Sequence, residues 1–326
     1  MPIRILSAAD VERALPMPLA IAAMRAAFSE LSSGQAALPA RSRITLPDGV
    51  TLFMPAYLAR TQDLVVKAVS VMNGNAQLGL PAVQGAVMVL NPKTGAARAL
   101  IDGRSLTAIR TGAGVGLAAD LLATKQARTV VVFGAGAQAR SNLAGVLAVR
   151  AIRTVCLIGR TWANVERLID ELRTADPQLE VTWATAPEEA VAAADIVLAA
   201  TAASTPLFDG RAVRPGTFVS AIGSHTATAR ELDEHIVRAA YRVIDAYVSA
   251  PEAGDFVLAG VAADAELGEV VNGDKPGRAS GEQVTLFKSC GLAVQDAAAA
   301  GAALREAERL NLGILVPFDQ GSQSGE

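Results

Sequence analysis

Histidine, cysteine and aromatic residues are scarce in this chain, and charge of neither sign prevails. Its two cysteines, Cys156 and Cys290, lie far apart in sequence. That excludes a disulfide framework or a thiolate metal cluster, so both read as reduced structural residues and no metal site is expected. Aromatics make up 4% of 326 residues, so the core has to come mainly from Ala, Val and Leu, within a hydrophobic fraction of 51%. Such a chain builds one or two domains. No uninterrupted apolar run reaches the roughly 18 residues a membrane helix needs. The start, "MPIRILSAADVERAL", lacks the basic-then-apolar order of a secretory leader, and a soluble cytoplasmic protein is expected. The 29 basic and 32 acidic residues are interspersed, with a net charge of -3. This excludes a basic stripe for nucleic acid and a polybasic membrane patch, and leaves small molecules as the expected partners.

What is present changes character along the chain. Ser7 with Asp10 three residues on is a capping-box start, and the pattern to Gly34 predicts two short helices broken near Pro16. Between Pro39 and Asp102, β-branched segments ("RSRITL", "TLFMPAYL", "LVVKAVSVM", "AVQGAVMVL") alternate with turn residues, which predicts a meandering antiparallel sheet. A helix follows through "SLTAIRTGAGVGLAADLLA". From Thr129 onward strands alternate with helical patterns, the signature of a parallel sheet covered on both faces. The Ala-rich helix after "EQVTLFKSCG" follows the last strand of that sheet and is expected to pack back on the first domain. The tail "DQGSQSGE" is expected to be disordered, and no internal repeat is present.

"TVVVFGAGAQAR", residues 129 to 140, runs from an apolar strand through Gly134, Gly136 and Ala139 into a helical pattern. Gly134 permits a tight turn, Gly136 admits a pyrophosphate close to the backbone, and Ala139 allows close helix packing. The free N–H groups of the helix start would face the anion. This is a dinucleotide site; the competing reading is a packing turn without ligand. The second strand ends in Gly159, Arg160 and Thr161 with no Asp or Glu. An acidic residue there would select a free ribose 2′-hydroxyl, whereas an arginine accepts a 2′-phosphate, so NADP(H) is favoured. Arg160 as a plain solvated arginine would leave NAD(H) possible.

Three cations resist explanation by solvation alone. Lys67 within "LVVKAVSV" shares a strand face with Val65 and Val69, so its ammonium needs an anionic partner or a cleft. Arg41 opens a strand and Arg110 sits on the helix before the nucleotide domain. A substrate carboxylate would satisfy the three together, while each alone also reads as an ion-pair partner. Of the two histidines, His225 follows a strand of the parallel sheet, where ligands bind, and suits proton transfer near neutrality; the bland reading is a loop histidine bonded to backbone. His235, in "ELDEHIV", reads as a packing or surface residue.

With "VVKAVS", "LTAIRTGAG", "VVFGAGAQA", "AIGS", "RELD" and "GEQVTLFKSCGLAVQD" in that order, the chain resembles the ornithine cyclodeaminase/mu-crystallin family over nearly its whole length. The resemblance implies an α/β fold: a Rossmann-type parallel-sheet domain plus a smaller α+β dimerisation and substrate domain, in a homodimer. The expected division is residues 1–115 with a returning 298–326, and 116–297 for the nucleotide domain. It further implies that Arg41, Lys67 and Arg110 bind a substrate carboxylate. Thr111 and the turn with Gly134, Gly136, Ala137 and Gln138 would contact cofactor phosphates. Thr201, Ile222, Gly223 and Ser289 would line the ribose and nicotinamide side. Members that cyclise ornithine carry an Asp where this chain has His225. An imidazole supports a cationic δ-amine poorly, which turns the expectation toward reduction of a small cyclic imino acid by NAD(P)H, with Lys67 and His225 catalytic. Ornithine cyclodeamination with bound NAD and non-catalytic NADPH binding are the alternatives.

Overall fold

One edge of the first sheet pairs strands from opposite ends of the chain. In a computed structural model that describes residues 2–318, β1 (Pro2–Leu6) lies beside a late strand, and the chain divides into two units, up to Arg110 with the segment from Leu292, and 111–291. The expected tail "DQGSQSGE" falls outside the described residues.

In the first unit β1 leads through a Ser7–Asp10 capping box into α1 (Ala8–Ala14), then α2 (Met17–Ser32). Next come β2 (Ala36–Ala37), β3 (Ser42–Leu46), β4 (Gly49–Leu58), β5 (Asp63–Met72), β6 (Val83–Leu90) and β7 (Ala97–Asp102). The run β3 to β7 is the expected antiparallel meander. β1 joins β7 in parallel, which a helical reading of the N-terminus missed. α3 (Gly103–Leu122) starts in this unit and the division falls within it.

The second unit alternates strands with helices, apart from one pair of successive strands joined through a 3-10 turn at Gly210–Ala212. It runs β8 (Thr129–Phe133), α4 (Ala137–Leu147), β9 (Thr154–Ile158), α5 (Trp162–Ala175), β10 (Glu180–Trp183), α6 (Pro187–Ala193) and β11 (Ile196–Ala199), then β12 (Phe218–Ala221), α7 (Glu234–Ala239), β13 (Tyr241–Ile244), α8 (Gly254–Ala259), β14 (Ala265–Glu266), α9 (Leu267–Asn272) and β15 (Thr285–Lys288). The sheet order is β10-β9-β8-β11-β12-β15-β13-β14, parallel throughout. Its inner strands β8, β11 and β12 are almost wholly buried on both faces, while β10 at the edge exposes Glu180, Thr182 and Trp183. "TLFK" is thus an inner strand, β15, between β12 and β13.

α10 (Ala293–Arg309) and β16 (Ile314–Pro317) return to the first unit, where β16 pairs antiparallel with β1. The unit boundaries lie at 110/111 and 291/292, where 115/116 and 297/298 were expected. Arg110 bonds both Asp296 and Gln295 on the first turn of α10, so those residues fold with the first sheet. α10 is buried on every side from Ala293 to Leu304, a stretch made mostly of alanine. Gly301 lies so close to Asp63 that a Cβ there would stand 2.1 Å from its Oδ1.

Candidate active site

The first unit buries a charge cluster where β5, α3 and α10 meet. The strand alternation that points Lys67 inward with Val65 leaves it 2% exposed, and its Nζ donates to both oxygens of Asp296 at 3.0 Å and to Thr107 Oγ1 at 3.1 Å. Arg110 Nε donates to the same Asp296 Oδ1 at 3.1 Å, and Nη1 to Gln295 Oε1 at 3.1 Å. Gln295 Oε1 also accepts from the Leu292 N–H and so caps α10. One carboxylate therefore serves two buried cations, and the pair keeps a surplus positive charge. Burial pushes the Lys67 ammonium down to about 8; Asp296 opposes the shift, while Arg110 and the half-buried Arg41 add to it. The structure thus brings Arg41, Lys67 and Arg110 into one electrostatic neighbourhood. Asp296, Gln295 and Thr107 were not picked out in the sequence. The available signal was a Gln and an Asp in the first turn of a helix that continues to Leu304 with only alanine, glycine and leucine.

The second unit carries a cleft of about 730 Å³ at the carboxyl ends of β8 and β11, lined by Gly134–Gly136, Gly159–Thr161 and Ala200–Thr205. The sheet order reverses there, between β8 and β11, which is where open parallel sheets bind ligands. Gly134 has φ +105°, and a Cβ on it would lie 2.6 Å from the Ala200 carbonyl oxygen, so only glycine fits. Gly136 precedes α4 without a side-chain cap, leaving the first N–H groups, including those of Ala137 and Gln138, available to an anion. These features fit a dinucleotide pyrophosphate. Arg160 is exposed and makes no hydrogen bond or ion pair among the described residues; the exposed Thr161 gives α5 no side-chain cap.

The residues assigned to the nicotinamide side fall on three segments. Thr201 lines the cleft, and its N–H and Oγ1 donate to Glu231 Oε1 at 2.7 and 2.8 Å. Gly223 donates its N–H to Glu231 Oε2 at 2.6 Å, next to the half-buried Ile222. His225 is exposed, with Nδ1 3.2 Å from the Gly223 carbonyl oxygen. That oxygen can only accept, so the contact is made by a proton on Nδ1. Ser289 is buried and donates its hydroxyl to Asp245 Oδ2 at 2.9 Å, so toward a ligand it can only accept. Thr111 is buried at 8% exposure. His235 is exposed on α7, and Cys156 and Cys290 are both half-buried, reduced cysteines. Among the described residues no set of His, Cys, Asp and Glu could hold a metal ion, and no helix is long and apolar enough to cross a membrane.

Residues 3–309 match the family model described as ornithine cyclodeaminase/mu-crystallin. The chain belongs to that family. Among similar family members, a Δ1-pyrroline-2-carboxylate reductase of Bacillus cereus is 32% identical, covering 96% of this chain and 99% of its own. The ketimine reductase mu-crystallin of Mus musculus is 33% identical, over 84% of this chain and 86% of its own. The fold is shared with the Thermococcus litoralis Δ1-pyrroline-2-carboxylate reductase solved with NADH and L-proline, at TM-score 0.91 and 35% identity over 96% of this chain and 99% of that one. An archaeal alanine dehydrogenase dimer with bound NAD has TM-score 0.91 and 30% identity, over 98% of this chain and 100% of that one.

Proposed function

We propose that this protein is an NADPH-preferring reductase of a small cyclic imino acid, Δ1-pyrroline-2-carboxylate or Δ1-piperideine-2-carboxylate, yielding L-proline or L-pipecolate in the cytoplasm. The observation that carries the reading is the buried cluster in which Lys67 and Arg110 share the single carboxylate of Asp296. The surplus positive charge inside a low-dielectric wall is matched by one more carboxylate, that of the substrate. The relatives named as reductases of cyclic imines, one of them holding L-proline, support the same substrate class.

In this mechanism Lys67, Arg110 and Arg41 hold the substrate carboxylate and orient the imine, so that the chemical step proceeds within one complex. The Gly134–Gln138 turn and Thr111 would hold the cofactor's pyrophosphate, with Arg160 and Thr161 at the adenosine 2′-phosphate. Thr201, Ile222, Gly223 and Ser289 would lie toward its nicotinamide. When bound, the cofactor supplies the hydride that adds to the imine carbon. The imine nitrogen gains a proton as the carbon gains hydride, and His225, directly or through a water on Nε2, governs that proton. NADPH is preferred over NADH because Arg160 faces solvent without an acidic neighbour at the end of β9.

The functional unit in this reading is a homodimer, as in the archaeal alanine dehydrogenase. Its support in this chain is a register-aligned apolar row across one face of the first sheet, Ile314–Ile5–Leu100–Met88, each at least 37% exposed. Exposed contiguous apolar rows of this kind mark association surfaces.

The test is nucleotide oxidation with five- and six-membered cyclic imines, NADPH against NADH, with Lys67→Ala in parallel. Imine-dependent NADPH oxidation that Lys67→Ala abolishes is the expected result. Proline and ammonia from ornithine without net nucleotide turnover would replace the reductase by a cyclodeaminase. Tight NADPH binding with no turnover of any imine would replace it by a non-catalytic binder.

A further inference from the structure

Behind the loops that follow β11 and β12 lies a set of buried charges that the proposed chemistry does not use. Glu231 is fully buried. Its two oxygens point to different loops: Oε1 accepts from the Thr201 N–H and hydroxyl, and Oε2 accepts from the Gly223 N–H. The two loops are in contact, since a Cβ on Gly223 would stand 1.9 Å from the Thr201 carbonyl oxygen and 2.5 Å from Glu231 Oε1. The backbone of Glu231 is fixed in turn, because Asp255 Oδ1 accepts from the N–H groups of Glu231 and Leu232 at 2.8 and 2.9 Å. Asp255 Oδ2 pairs with Lys288 at 2.7 Å and accepts from Ser224 Oγ at 2.6 Å. Lys288 also donates to Ser224 Oγ at 2.7 Å and to its carbonyl oxygen.

A charge network of this size is costly to bury and is weak evidence of stability by itself. Its geometry says what it fixes. Strand β15, helix α8 and the segment 222–232 are tied together by Lys288, Asp255 and Ser224, and the free end of that assembly is the Glu231 carboxylate. That carboxylate bridges the Thr201 and Gly223 N–H groups.

We propose that Glu231 is a positioning residue for hydride transfer, whose carboxylate sets the spacing of the Thr201 loop and the Ile222–His225 loop, with Asp255 and Lys288 as its anchor. The proposal rests on the reading above that these loops carry the nicotinamide side. Glutamine is the informative replacement. Its NH2 group cannot accept, so in either orientation it confronts the N–H of Thr201 or that of Gly223, and the two loops separate. Aspartate keeps the charge but is one methylene shorter and reaches only one loop.

The experiment compares wild-type protein with Glu231→Gln and Glu231→Asp in three measurements: NADPH dissociation constant by nucleotide fluorescence, kcat and KM with the imine, and the primary isotope effect with 4-deuterated NADPH. Loss of a buried hydrogen bond and a misplacement near the chemistry predict about 10-fold weaker NADPH and about 10- to 100-fold lower kcat. The isotope effect should rise as hydride transfer becomes limiting, with imine KM moved far less than kcat. A thermal midpoint that falls while kcat per folded site, isotope effect and NADPH affinity stay at wild-type values would overturn the proposal, since it would make Glu231 merely structural. Where the glutamine variant does not fold, the aspartate variant carries the same expectations. If the wild-type protein turns over no imine, the reductase reading fails, and the dissociation constant still decides whether Glu231 shapes the nucleotide site.

Discussion

Replacing Asp296 by asparagine separates two roles for the buried carboxylate by the sign of its effect. Asp296 is either what keeps Lys67 protonated or a competitor that occupies the cations until substrate arrives. With both oxygens 3.0 Å from Nζ, a pair of unit charges at an effective dielectric near 20 interacts by about 5 kcal/mol. At about 1.4 kcal/mol per pKa unit, that interaction supports the ammonium by several units. The lysine already sits at about 8, so losing even a third of that support takes it below neutrality. Asp296→Asn therefore leaves Lys67 neutral at pH 7 and the substrate carboxylate with Arg110 and Arg41 only. One charge-assisted hydrogen bond lost corresponds to about 10- to 100-fold in kcat/KM for the imino acid. NADPH affinity should stay unchanged, because the glycine turn makes no use of Asp296. The assay is kcat/KM against pH, with a nucleotide titration beside it. Tighter imino-acid binding in Asp296→Asn at pH 7 would refute the reasoning, since it would mean that Lys67 keeps its proton without its partner.

In the wild-type protein the same lysine predicts a falling alkaline limb. Its pKa is depressed, so the cation is lost above about pH 8, and kcat/KM should drop about tenfold per pH unit there; Lys67→Met should have low activity and lack that limb. The linkage to stability runs the other way. Between about 8 and 10.5 the unfolded chain holds a proton that the folded chain has lost, so Lys67 contributes rising stability with pH across that window, readable as a higher denaturation midpoint than in the Met variant's pH trend. Arg160→Ala should raise KM for NADPH by about 10- to 100-fold, the loss of charge-assisted bonds to a phosphate, with NADH kinetics nearly unchanged; equal losses for both nucleotides would place Arg160 elsewhere. Gly134→Ala combines a positive φ with a Cβ 2.6 Å from the Ala200 carbonyl oxygen, and should abolish NADPH retention on an affinity column. Retention at wild-type strength would show that this turn does not cradle the pyrophosphate.

What could be read from the sequence follows the range of the interaction that decides each residue. Gly134 and Gly136 were legible because the turn is local: a strand, a positive φ and a helix start within a dozen residues. Lys67 was legible because strand alternation with Val65 is also local. β1 was not, since its five residues pair with β7 nearly a hundred residues later and with β16 at the far end of the chain; a five-residue segment has no periodicity long enough to declare itself. The place of β15 between β12 and β13 is likewise set by pairing and not by chain order. Asp296 and Glu231 were missed for a related reason. Each is recognised as functional only through a partner, Lys67 for one and the Thr201 and Gly223 amides for the other, and pairing across such sequence distances leaves no local pattern. An electrostatic argument narrows the search all the same. A lysine forced into an apolar strand face requires a buried acid somewhere. In the sequence after Lys67, Asp296 is an acid opening a helix whose next seven residues are all alanine or glycine, an environment that would not hold a carboxylate without a cation. Asking which acid the cation needs, before asking which ligand, would have assembled the Lys67–Asp296–Arg110 cluster from the sequence and exposed its surplus charge.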